Sequence, residues 1–178
     1  MKNLLSLFLT FFIPFSALAQ ENTIVTLPEA AKNYFSGQPQ TALQQYIEIS
    51  KKTKEKDAFL NAAYIELEQG HPKQAVDIMS AGYLLYPTDA EVTEFMAEAY
   101  LADGQYENAE KFFSLLEGGG ERSEFLLIHL ARAQLGMGET QLAKHNLQRA
   151  AAGKNHTGLS NFLLGQIYEK EQNWEQAA

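Results

Sequence analysis

The sequence predicts an all-α fold made of repeated helix pairs. Three observations carry that reading. Small residues recur at Ala30, Ala63, Ala97, Ala131 and Gly165, in steps of 33, 34, 34 and 34. A second set, Ala42, Ala75, Ala109, Ala143 and Ala177, has the same steps in the same register. Glycines fall between the two sets at Gly37, Gly70, Gly104 and Gly138, with Gln172 where a fifth would stand. Self-similarity at a fixed period of this length marks an array of helical repeats.

Each series has a physical role. The first small residue lies on one helix and the second on the next, twelve residues later. Two antiparallel helices approach closely only where neither side chain is bulky. The glycine between them ends the first helix, because it takes the left-handed conformation of a C-cap at no steric cost. Pro39 and Pro72 follow two residues after their glycines. They suit the first turn of a helix, where a missing N–H is no loss.

The first residues precede the repeats. Lys2 gives a positive start, and the apolar run Leu4 to Phe15 is broken only by Ser6, Thr10 and Pro14. Ala17-Leu18-Ala19 then supplies the small-x-small pattern of a cleavage site. Residues 1–19 therefore read as a secretory signal peptide, cut after Ala19, with a repeat domain over 20–178. The run is short of the roughly 20 apolar residues that a bilayer demands. We expect no stable membrane span after cleavage, and a secreted or periplasmic location.

The units follow in order. Unit one, about 23–55, is degenerate. Unit two, 56–89, carries Phe59, Ala62, Ala63 and Leu67 on one helical stripe and Val76, Met79 and Tyr83 on the next; Pro87 closes it. Unit three, 90–123, has Met96, Ala97, Tyr100 and Leu101, then Phe112, Phe113 and Leu116. Unit four, 124–157, has Leu127, Leu130, Ala131 and Leu135, but Gln134 replaces an aromatic residue and no proline closes it. Unit five, 158–178, is incomplete. No strand alternation of useful length appears.

This pattern resembles the tetratricopeptide repeat family, most closely in 56–89 through Ala63, Gly70, Ala75 and Pro87. Unit three resembles it through Met96, Ala97, Tyr100, Gly104, Tyr106, Ala109 and Phe113. Unit five does so through Leu164, Gly165, Tyr168 and Ala177. The resemblance implies a right-handed superhelical solenoid with a concave and a convex face. It also implies that the first helix of each pair lines the concave face and that peptide segments bind there. Register then assigns the candidate partner face: Asn61 and Tyr64, Glu91, Glu94, Phe95 and Glu98, His129 and Arg132, Phe162 and Gln166. Leu60 and Ile128 are expected to point outward with them.

Glu91, Glu94 and Glu98 share one helix face, where like charges repel by a few tenths of a kcal/mol. One reading is a solvated face. The sharper one is an acidic stripe beside Tyr64 and Phe95 that takes a basic, partly apolar peptide. Some relatives clamp a C-terminal carboxylate on this face with lysine, arginine and asparagine. Here Asn61, His129 and Arg132 are the only comparable groups, and Leu60, Tyr64, Glu94 and Glu98 fill the other places. That departure speaks against carboxylate capture.

Other chemistry finds little footing. The chain has no cysteine, which removes thiolate metal sites, disulfides and a cysteine nucleophile. His71, His129, His145 and His156 lack the three- to five-residue spacing of helical metal ligands. Gly118-Gly119-Gly120 is not followed by the Gly-Lys-Ser/Thr of a phosphate loop, and there is no G-x-S-x-G elbow. No cofactor and no enzymatic activity is expected. The net charge of -8 disfavours nucleic acid. Asn155-His156-Thr157 is formally a glycosylation sequon.

Repeat arrays usually end in a polar capping helix. Unit five breaks off as its second helix begins, leaving Leu163, Leu164, Ile167 and Trp174 half covered. We read the chain as part of a longer protein; the alternative is an end that buries this face in a partner or a second copy. The functional expectation is an exported scaffold that binds protein or peptide partners in assembling a bacterial envelope complex. The alternative is an N-terminal repeat module of a larger exopolysaccharide or protein export component. N-terminal sequencing of the protein from its own cells is expected to start at Gln20. A start at Met1 would remove the signal peptide.

Overall fold

The structure, a computed structural model, describes residues 25–120, 123–153 and 158–171. The signal segment, the sequon and the stretch holding Gln172, Trp174 and Ala177 lie outside the described residues. Among the described residues there are nine helices and no strand. The helices are α1 (Leu27–Phe35), α2 (Pro39–Lys52), α3 (Lys56–Glu68), α4 (Pro72–Leu85) and α5 (Ala90–Ala102). Then follow α6 (Tyr106–Gly118), α7 (Glu124–Gly136), α8 (Thr140–Ala151) and α9 (Leu159–Lys170). Each packs on its neighbours in sequence, and α5 also touches α3 and α7. First helices therefore stack on first helices, which makes a solenoid.

The periodic residues do what their spacing demands. Ala30, Ala63, Ala97 and Ala131 have no exposed surface, nor do Ala42, Ala75, Ala109 and Ala143. Gly37, Gly70, Gly104 and Gly138 sit at φ of 76°, 75°, 74° and 80°, a region closed to most side chains. After each glycine the next N–H reaches back to the preceding helix, as from Gln38 to the Asn33 carbonyl at 2.9 Å and from Glu139 to that of Gln134 at 2.8 Å. This is the Schellman closure of a helix end. Pro39 and Pro72 open α2 and α4. Thr26 and Glu29 form a capping box on α1, and the Asp89 and Ser123 side chains cap α5 and α7.

The core runs the length of the stack. Leu43, Tyr46, Ile49 and Ile65 fill its first part, Met79, Met96, Phe112 and Phe113 the middle, and Leu147, Leu164, Ile167 and Tyr168 the last. Leu60 and Ile128, expected to point outward, are only 6% and 4% exposed. Each joins the core, so the buried arcs of α3 and α7 are wider than one stripe. Repeats are also tied by polar contacts. Lys56 at the start of α3 pairs with Asp89 (3.2 Å) and Glu91 (2.8 Å) at the start of α5. The Tyr86 hydroxyl donates to the Lys54 carbonyl.

Gly136 in α7 lies against the Tyr106 ring, and a Cβ there would come within 2.5 Å of it. Gly118 faces open space. Gly136→Ala is expected to lose about 1–3 kcal/mol of stability through overpacking. Gly118→Ala is expected to be neutral or slightly stabilising, since alanine favours the helix. Paired urea melts check this; equal midpoints for the two variants would refute the contact.

Candidate partner-binding face

Two adjoining grooves run across the first helices. The first, about 490 Å³, lies between α1 and α3, with Tyr34, Phe35, Tyr46, Asp57, Asn61 and Tyr64 among its walls. The second, about 370 Å³, lies between α3 and α5 and is lined by Asp57, Leu60, Asn61, Tyr64, Glu91 and Phe95. Asp57, Asn61 and Tyr64 form the ridge they share. These three lie at three- and four-residue spacing on α3, which puts them on one face of the helix.

The first groove is an aromatic enclosure. The Tyr34 ring stands edge-on to Phe35, with centroids 5.4 Å apart at 75°, and to Tyr64, 6.2 Å apart at 72°. Both tyrosine hydroxyls donate to Glu68, Tyr34 to one carboxylate oxygen and Tyr64 to the other, the latter at 2.8 Å. The Glu68 hydrogen bond, then burial, pushes the Tyr34 phenol well above its ordinary range. Asn61 Nδ2 donates to the backbone carbonyl of Asp57 at 2.7 Å.

The acidic stripe is less uniform than its spacing suggests. Glu91 is held by Lys56, so its charge is already met within the chain. Glu98 is different. Burial, and then the nearby Glu94, push its carboxyl up to about 7, against the opposing pull of Arg132. His129 is driven the other way, down to about 4, by burial and by Arg132. Its ring lies 4.1 Å from Phe125 and 5.6 Å from Phe113 between centroids, and its buried Nδ1 has no hydrogen-bond partner among the described residues. Phe162, 61% exposed, and Gln166 lie on α9, outside both grooves.

The structure thus brings Asn61, Tyr64, Glu91 and Phe95 to the grooves, and links Glu94, Glu98, His129 and Arg132 electrostatically. Sequence reading missed Tyr34, Phe35 and Tyr46, which belong to the degenerate first unit. The signal was an aromatic pair just before the helix-ending Gly37. A further groove of about 480 Å³ lies between α2 and α4. Aliphatic side chains such as Ile47, Leu84 and Leu85 line much of it, and it holds none of the sequence-predicted residues.

Among the described residues no helix is long and apolar enough to cross a membrane, and no cluster of three metal-ligating side chains occurs. No family model matches the sequence, and no curated protein does. Solved structures do match. A crystal structure of MamA superposes with a TM-score of 0.74 at 17% identity, over 83% of this chain and 87% of that one. MamA from Desulfovibrio magneticus RS-1 gives 0.75 at 15%, over 83% and 84%. TTC0263, a thermophilic tetratricopeptide repeat protein in Thermus thermophilus, gives 0.64 at 18%, over 85% and 84%. At such identities the likeness is one of fold, and the fold is the tetratricopeptide repeat solenoid.

Glu98 and His129 give stability opposite pH dependences. A carboxyl raised to about 7 contributes stability that is full below its unfolded value and is lost as pH rises through 7. An imidazole lowered to about 4 contributes stability that is present above 6.5 and is lost as pH falls through 4. Glu98→Gln should therefore be more stabilising, relative to the parent, at pH 8 than at pH 5. Thermal midpoints at both values test this; a pH-independent difference would refute a buried, titrating Glu98.

Proposed function

We propose that this tetratricopeptide-type solenoid is an exported scaffold that binds a protein or peptide segment along its concave face. The observation that carries the reading is the pair of adjoining grooves sharing Asp57, Asn61 and Tyr64. Together they offer an extended, aromatic-rich trough with convergent polar groups, which is the make-up of a recognition site rather than of a smooth helix surface. Repeat solenoids bury their own apolar stripes between neighbours and leave such long surfaces for partners.

The partner we propose carries basic residues. Glu98 is half-buried beside Glu94, and the ionised form of its carboxyl is disfavoured there. A lysine or arginine arriving at that point would relieve the disfavour and gain from the reduced screening. Export rests on the signal-like segment of residues 1–19, and a role in assembling a bacterial envelope complex follows from an exported binding module. The proposed role is to hold and position partners, not to transform them.

Affinity capture from envelope extracts, with the parent chain and with the Glu94→Lys/Glu98→Lys pair, tests the reading. Charge reversal is expected to weaken capture roughly tenfold or more, as for a close interfacial charge pair. Capture by the parent should strengthen between pH 6 and 8 as Glu98 ionises, and Glu98→Gln should flatten that rise. Capture that ignores both charge reversal and pH would sink the basic-partner proposal.

A further inference from the structure

We propose that the groove between α1 and α3 is a receptor for an organic cation, specifically an arginine guanidinium presented by the partner segment. This deepens the scaffold reading, and depends on it for the partner's identity as a protein segment. The pocket's chemistry stands on its own.

Three aromatic rings set in different planes stand among its walls, beside aliphatic groups such as Leu27 and Ile65. Tyr34 meets Phe35 and Tyr64 edge-on, so their ring faces are not all turned the same way. Tyr46, almost wholly buried, contributes to the same groove. A ring face is the negative part of the aromatic quadrupole, and a cation held over it is attracted. A guanidinium suits such walls better than an ammonium, because it is flat, stacks on rings and is more weakly hydrated.

The carboxylates sharpen this preference. Glu68 accepts from the hydroxyls of both Tyr34 and Tyr64. Those bonds fix the two rings relative to each other before any ligand arrives. A phenol donating to a carboxylate also carries more electron density in its ring. Asp57 stands exposed on the ridge, and its carboxylate makes no ion pair among the described residues. None of the side chains lining the groove is basic. The nearby Lys56 is occupied by Asp89 and Glu91. The enclosure thus carries a surplus of negative potential and no internal cation.

An apolar side chain could fill the same rings, so shape alone does not choose. Charge does. Burying a neutral side chain beside Asp57 and Glu68 gains nothing from them, whereas a guanidinium can donate to Asp57 in a forked pair while stacking on a ring. At about 490 Å³ the groove falls in the usual size range of ligand pockets, with space beyond one guanidinium for flanking residues of the segment.

The test uses the full chain, with the tyrosine ring signals followed by NMR. Nα-acetyl-arginine methylamide is titrated against its citrulline counterpart, which has the same shape without the charge. The arginine probe is expected to shift the Tyr34 and Tyr64 signals saturably, and citrulline to bind roughly tenfold more weakly. Phe35→Ala and Asp57→Asn should each weaken the arginine probe about three- to tenfold. Phe35 is 84% exposed and Asp57 is exposed, so both variants should stay folded, with the midpoint of Asp57→Asn lowered only slightly by loss of a first-turn carboxylate on α3. Equal binding of the two probes, no binding of arginine, or arginine binding that survives both substitutions overturns the pocket. Arginine binding that persists when partner capture fails would support the pocket and count against the scaffold reading alone.

Discussion

Close approach between helices governs this chain. A helix pair packs with its axes about 8–10 Å apart, and the side chains at the crossing set the value within that range. Here both helices of a pair carry alanines with no exposed surface, Ala30 and Ala42 in the first pair and Ala63 and Ala75 in the second. Because each repeat rests on the one before, a displacement at one crossing is passed on to every later repeat. Where a large ring intrudes, volume is returned elsewhere: Gly82 gives way to Phe59 and Gly136 to Tyr106. The quantity held constant is the space at the crossing, and alanine is only its commonest solution.

The fourth repeat meets the constraint with polar groups. Gln134 stands where Tyr100 and Tyr168 stand in the flanking repeats, and it is buried. A buried amide without partners would cost about 1–3 kcal/mol. Gln134 avoids that cost, donating to Glu110 at 2.9 Å and accepting from Asn146 at 2.9 Å. Arg149 extends the chain of bonds, donating to Asn146 at 2.8 Å and to Glu117. Three helices, α6, α7 and α8, are thereby tied in one register. An aromatic ring would bury more area at this point; the network supplies direction instead, which ring packing specifies less sharply.

The repeat was legible in the sequence because its signals are local and redundant. Small residues, glycines and prolines each fix one backbone or packing event, and they recur in one register. The face was legible only in part. Asn61, Tyr64 and Phe95 follow from helical spacing, and they do line the grooves. Ile128 misled and Leu60 reaches its groove only from a mostly buried position, because a helix between two neighbours has a buried arc wider than a single stripe. The links that shape the site join residues a whole repeat apart: Tyr34 to Glu68, and Lys56 to Glu91. Nothing in a period tells which side chains will meet across it. The first unit's degeneracy also hid Tyr34 and Phe35, since they carry none of the repeat's marks.

Acidity on this face is therefore not a matter of counting carboxylates. Glu91 shares the Lys56 ammonium with Asp89, and Glu68 is engaged by two tyrosines. Glu98 and His129 are both pushed towards their uncharged forms by burial, one upward and one downward. Both groups are half-buried, so water reaches them less than it reaches the exposed Glu91. Coulomb interactions strengthen as the effective dielectric falls. A cation arriving beside Glu98 would consequently gain more than the same cation beside the exposed Glu91, although sequence spacing treats the two alike. Burial and internal pairing, more than spacing, set the charge of each acidic group on this face.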